Sequence, residues 1–143
     1  MCILSGCDYV DSLTGIGLAK ACKFIMKTDE SDLKKALPKI PAYLNMRHLV
    51  VTEEYINNVL KAEATFRCMY VYNPLIRKMV RLSDPEEAGV DLEYCSQAGE
   101  ILDDGLAFHL ALGNIDPFTM KFLDDYDPDS LTQVGLGKSL FDN

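Results

Sequence analysis

The chain contains no tryptophan, only two histidines in 143 residues, and only two bases (Lys121 and Lys138) beyond residue 83. No apolar run approaches the roughly 18 residues a membrane-spanning helix needs. The opening Met1-Cys2-Ile3-Leu4-Ser5 has neither the basic segment nor the long apolar stretch of a signal peptide. His48 and His109 lie far apart without ligand spacing, and both read as structural. The five cysteines (2, 7, 22, 68 and 95) are odd in number and scattered, with no CxxC pair. They read as reduced thiols in an intracellular protein, neither a disulfide framework nor a zinc site. What is present is ordinary: 48% hydrophobic, 25% charged, mean hydropathy of zero. That composition excludes collagen, coiled coil and wholesale disorder, and the length suffices for one domain with a real core.

The net charge of −8 argues at first against a polyanion ligand, but its distribution reverses the point. Residues 13–49 carry +4 and residues 50–83 carry +2, whereas residues 84–143 carry −12. A basic stretch ahead of an acidic final third can bind a polyanion locally. The alternative is that these lysines decorate solvated helix faces, and charge alone does not choose.

Along the chain, Cys2-Ile3-Leu4 running into Ser5-Gly6-Cys7-Asp8-Tyr9 predicts a short strand ended by a glycine turn. A buried strand at residue 1 with no partner before it leads us to expect further sequence upstream. Gly15-Ile16-Gly17 predicts a tight turn opening a helix, with Leu18, Ala21, Cys22 and Ile25 on one face and Lys20, Lys23 and Lys27 on the other. A short helix is expected over 32–36, with Pro38 and Pro41 breaking the chain. Thr52 followed by Glu53 and Glu54 predicts an N-cap and a long helix to about Met69, buried along Tyr55, Val59, Ala62 and Phe66. Residues 70–74 are expected to end it, 77–82 to form a short alternating segment and 83–89 an acidic loop. A last helix is expected over 104–112, stopped at Gly113-Asn114, and residues 130–143 read as a disordered tail. The fold class is mainly α.

The chemistry concentrates in the first 27 residues. Leu13-Thr14-Gly15-Ile16-Gly17-Leu18-Ala19-Lys20-Ala21 fits a hairpin between two helices: apolar-x-Gly-apolar-Gly-x-x-x-Ala. The glycines let the backbone turn sharply and approach a partner closely, Ile16 plugs inward, and the following helix start favours an anion. Lys20, one turn into the helix, can reach the same phosphate. Such a device grips sugar-phosphate backbone without reading bases. Asp8, after an apolar segment and close to Gly6, is either a magnesium-binding carboxylate or a turn former. Asp11 reads as solvated or capping, and Asp103-Asp104 as a helix N-cap. Ser5 and Ser12 read as turn formers, since no Ser/His/Asp arrangement emerges.

Leu4-Ser5-Gly6-Cys7-Asp8-Tyr9 followed by Gly15-Ile16-Gly17-Leu18-Ala19-Lys20-Ala21 resembles a conserved segment of the flap-endonuclease/XPG superfamily of structure-specific 5′ nucleases, on its exonuclease side. Glu53-Glu54-Tyr55-Ile56-Asn57, Tyr72-Asn73-Pro74 with Arg77-Lys78, and Ala111-Leu112-Gly113-Asn114 with Asp124-Asp125-Tyr126 add to it. The resemblance covers about residues 1–129. It implies that residues 1–12 end a PIN-like α/β nuclease core and contribute its strand remnant. Residues 13–129 would form a helical (SAM-like) C-terminal domain with a helix-two-turn-helix at about 9–27. It further implies that Asp8 is a catalytic carboxylate, one of a cluster of acids holding two magnesium ions (or manganese). By the same resemblance Gly15, Ile16, Gly17 and Lys20 hold duplex DNA, and Ser5, Ser12 and Ile16 ligate a potassium ion bridging protein and phosphate.

The resemblance also implies 5′→3′ exonuclease and flap-cutting activity on duplexes with a 5′ end, nick, gap or flap, in mismatch repair and recombination. Its expected setting is a nuclear monomer, with MutS- and MutL-type proteins and a sliding clamp as partners and no membrane. The departures matter as well. Asp8 is the one member of the acidic cluster in this chain, so the fragment alone is expected to be inactive. Thr14 stands where a basic residue often precedes the hairpin. The alternatives are a non-catalytic helix-hairpin-helix DNA-binding module, a flap endonuclease, and a scaffold docking through acidic residues 84–129.

Overall fold

A computed structural model describes residues 1–130, so the expected tail lies outside the described residues apart from Ser130. The chain folds as two compact units, Met1–Val71 with Arg81–Glu100, and Tyr72–Val80 with the chain from Ile101 onward. Secondary structure is mainly helical, with one two-stranded sheet. None of the described helices is long and apolar enough to cross a membrane.

The first unit opens with a 3₁₀ turn over Ile3–Ser5 where a strand was expected. A strand requires a neighbour for its N–H and C=O groups, and no described segment pairs with these residues. Local bonds satisfy them instead, with Ser5 N donating to Cys2 O at 3.1 Å and Gly6 N to Ile3 O at 3.1 Å. Helix α1 (Leu18–Lys27) buries Ala21 and Phe24, while Leu18 is 55% exposed and Cys22 is also exposed. The expected face is thus rotated. Phe24 offers more apolar area than Leu18 and meets the Tyr43 ring edge-on at 5.9 Å.

Helix α2 (Leu33–Ala36) is capped by Asp32, whose side chain accepts from Lys34 N at 2.9 Å. The prolines do not break the chain. Pro38 lies in the first turn of a 3₁₀ segment (Leu37–Lys39) and Pro41 in that of α3 (Ile40–Tyr43), positions where a missing N–H costs little.

Helix α4 (Glu53–Cys68) has Thr52 as its cap, with Thr52 Oγ1 accepting from Tyr55 N at 3.1 Å. Tyr55, Ile56, Val59 and Ala62 join Leu4, Ile16, Phe24, Leu37 and Ile40 in the main core. Phe66 was expected inside but is 49% exposed, and its ring meets that of Tyr9 edge-on at 5.2 Å. Buried small residues take its place: Ala64 and Cys68, which pack with Cys95 of the 3₁₀ segment Leu92–Gln97 and with Ala98 just after it. Residues this small let two backbones approach closely, which a phenylalanine would prevent. Arg81 closes the helix end by donating to Cys68 O at 2.9 Å, its guanidinium 4.2 Å above the Tyr70 ring.

Residues 70–73 do more than end α4. They form β1 (Tyr70–Asn73), which pairs with β2 (Lys78–Arg81) as a hairpin. Likewise 83–89 is not only loop. Asp84 caps a short α5 (Pro85–Ala88) that stops at the left-handed Gly89.

In the second unit, α6 (Asp104–Ala111) is capped by Asp103, whose Oδ1 accepts from Gly105 N at 3.0 Å and Leu106 N at 3.2 Å. The fully buried Asn114 organises the return of the chain. Its Nδ2 donates to Tyr126 O at 2.8 Å, its Oδ1 accepts from Tyr126 N at 3.1 Å, and His109 Nδ1 lies 3.2 Å away. Arg77 makes two parallel bonds to Asp129, at 2.6 and 2.7 Å.

Candidate nucleic-acid interface

Two turns in succession lead into α1. The first spans Cys7 to Val10, closed by Cys7 N donating to Val10 O at 3.0 Å. The second is closed by Ile16 N donating to Leu13 O at 2.8 Å. Gly15 has φ +77°, a conformation that glycine adopts without the strain a side chain would bring. A Cβ there would sit 3.5 Å from Met46 Cε and 3.8 Å from Lys20 Nζ. Ile16 is 4% exposed and plugs into the core as its place between the glycines predicts.

The mouth of this hairpin is rich in donors. Gly17 begins α1 without a side-chain cap, and the first turn of the helix holds no acid. The first intrahelical bond is Ala21 N to Gly17 O, so the amides of Leu18, Ala19 and Lys20 point outward without intrahelical acceptors. Space is open to 4 Å around the position of a Gly17 Cβ. Lys20 folds back and donates to Gly15 O at 2.8 Å, which holds its ammonium at the mouth with two N–H bonds to spare. Lys23 and Lys27 continue along the exposed side of α1. Amides, helix dipole and ammonium all favour an anion here.

Asp8 sits at the exposed tip of the first turn, following the 3₁₀ turn and not a strand. No group of three or more His, Cys, Asp or Glu among the described residues could hold a metal ion. A two-ion magnesium centre therefore does not fit the described residues taken alone, and Asp8 offers a single carboxylate to one. Ser5 Oγ donates to Cys2 O at 2.8 Å, leaving its lone pairs open to a cation. Gly6, at φ +99°, lies against Ser12: a Cβ on it would be 3.5 Å from Ser12 N and 3.9 Å from Ser12 Oγ. Gly6 and Ser12 are thus brought together. Of the helix-two-turn-helix expected at about 9–27, the structure has the second helix, α1, and turns without a helix over residues 9–17.

Two features of this region have no sequence signature. Met46 packs in the same core cluster as Ile16 from a loop far away in sequence, where no periodicity marks it. The Tyr55 hydroxyl is buried without a hydrogen-bond partner among the described residues. Its pKa is pushed up, first by burial and then by the nearby Cys7.

A donor-rich hairpin with no base-reading device is the kind of surface found on proteins that handle nucleic-acid backbone. The proteins similar to this chain are nucleases by name, although no family model matches it. The chain is 62% identical over 130 residues to Exonuclease 1 of Drosophila melanogaster, covering 90% of this chain and 18% of that protein. It is 44% identical over 129 residues to Exonuclease 1 of Xenopus laevis, covering 90% of this chain and 17% of that protein. A Flap endonuclease 1 from Aedes aegypti is 34% identical over 95 residues, 66% of this chain and 23% of that protein. The chain is thus homologous to one segment of the exonuclease 1 proteins, within the superfamily its hairpin motif resembles. It spans about a fifth of the length of these curated relatives.

Proposed function

We propose that this chain is the duplex-gripping part of a magnesium-dependent 5′→3′ DNA exonuclease with 5′-flap capacity, acting in nuclear mismatch repair and recombination. The observation that supports it best is the hairpin mouth, where outward amides, a tethered ammonium and open space meet and the first turn of α1 carries no acid. Gly15, Ile16 and Gly17 shape the mouth, and Lys20 offers its free N–H bonds to a phosphate oxygen. Ser5, Ser12 and Ile16 would hold a potassium ion beside that phosphate, lowering repulsion without reading sequence. Asp8 would supply one carboxylate to magnesium, which when bound stabilises charge on the reacting oxygens. The rest of that acidic cluster would lie elsewhere in the whole protein.

Lys20→Ala is expected to weaken duplex binding about equally on all sequences and to reduce the salt slope by roughly one. A loss confined to some sequences would count against a backbone grip. A non-catalytic binding module is the second reading, favoured because the described residues hold no group of three or more His, Cys, Asp or Glu that could bind a metal ion. Asp8→Ala in a full-length protein containing this chain separates the two. The nuclease reading expects cleavage to vanish with duplex binding retained, and unchanged cleavage supports the module.

A further inference from the structure

Met46 is 91% buried in the same apolar cluster as Ile16, and its Cε lies 3.5 Å from where a Gly15 Cβ would sit, so the loop that carries it packs beside the phosphate-receptive mouth. That loop is well braced. Met46 N donates to Pro41 O at 2.8 Å, Leu49 N donates to Met46 O at 2.9 Å, and Asn45 holds a left-handed conformation at φ +55°. On either side of the buried methionine stand polar residues. Asn45 and Arg47 line a cleft of about 380 Å³ with Pro41 and Ala42, and Arg47 and His48 are exposed. None of the ion pairs among the described residues uses Arg47, unlike Lys35, Lys39, Arg67, Arg77 and Lys78, each of which faces a carboxylate.

We propose that Asn45 and Arg47 form a second phosphate anchor, taking a further phosphate of the duplex backbone beside the one held at the Gly15–Gly17 hairpin. The chemistry is specific to the residue types. A guanidinium offers a planar fork of donors that matches two phosphate oxygens, whereas Lys20 acts as a point charge. The Asn45 amide adds a neutral donor from the left-handed position just past the end of α3. Because Met46 packs in the same core cluster as Ile16, the loop and the hairpin share one buried support, and one backbone strand is expected to engage both anchors. This rests on the hairpin reading above and extends it to a two-point grip that orients the duplex as well as holding it.

The test is duplex binding by the full 143-residue chain over a range of potassium chloride, for Arg47→Ala, Arg47→Lys, Lys20→Ala and the double variant. Arg47→Ala is expected to lower affinity about 5-fold on any sequence and to reduce the salt slope by about 0.9, one phosphate's worth. Arg47→Lys should restore the slope but only part of the affinity. Unchanged thermal melting of these exposed-site variants excludes misfolding as the cause. If Lys20→Ala flattens the slope and Arg47→Ala does not, the second anchor is overturned and the hairpin grip stands. If only Arg47→Ala flattens it, the loop anchor stands and the role of Lys20 at the hairpin falls. If neither does, both fall.

Discussion

Single residues carry two opposite polar situations, and each has a measurable consequence. Tyr55 buries a hydroxyl that finds no partner among the described residues, which costs desolvation without return. Tyr55→Phe should therefore leave stability unchanged or raise it, by up to about 1 kcal/mol in chemical denaturation. A marked loss would show that the hydroxyl is bonded in solution. Asn114 is the converse, fully buried with both ends of its amide engaged by Tyr126. Asn114→Ala should cost about 2–3 kcal/mol through the unpaired main-chain groups of Tyr126. Amide exchange should report that loss at residues 109–126. Ile16 and the Lys20 side of α1 were legible from residue type and spacing, because a glycine pair and a helical period act within a few residues of themselves. Met46 was not, since its packing with Ile16 joins positions far apart in sequence.

At the scale of elements, caps were the readable part. Thr52, Asp103 and the acids beside them mark helix starts in the sequence, and the structure shows their side chains accepting the expected amide bonds. Thr52→Ala should cost about 1 kcal/mol, measured as a fall in thermal midpoint, with the glycine variant less affected. What misled the sequence reading was choice of face and of partner. Phe66 and Leu18 fit helical stripes, yet packing selected Phe24 on α1, and Ala64, Thr65 and Cys68 on α4. The opening strand failed for a related reason. Its composition is compatible with a strand, but β-structure is a property of two segments, and among the described residues no second one pairs with it. The β1–β2 hairpin was half-seen because 70–73 reads as the end of a helix until its partner is known.

For the molecule as a whole, charge asymmetry and acid sensitivity can be tested directly. A chain of net charge −8 should be repelled by DNA if its average charge governed binding, so salt would then strengthen association. The hairpin reading expects the opposite sign, with binding weakening steadily as potassium chloride rises. In the second unit, Asp129 is held below the usual carboxylate range chiefly by its hydrogen bonds from Arg77, and Asp116 by the amides of Phe118 and Thr119. Both therefore bind protons less readily folded than unfolded. Their stabilising effect is present in full above about pH 4 and is lost as pH falls through the lowered folded values. Near-ultraviolet circular dichroism of the tyrosines should show an acid transition that Asp129→Asn moves to higher pH. By itself the sequence determined the mainly helical class, the helix starts, the Gly15–Gly17 turn and the basic helix after it, because these depend on bonds and periods spanning a few residues. Only the tertiary structure decided which helix faces are buried, that the first segment turns instead of pairing, and that Met46 packs in the core with Ile16, because those outcomes depend on which distant surfaces exclude water together.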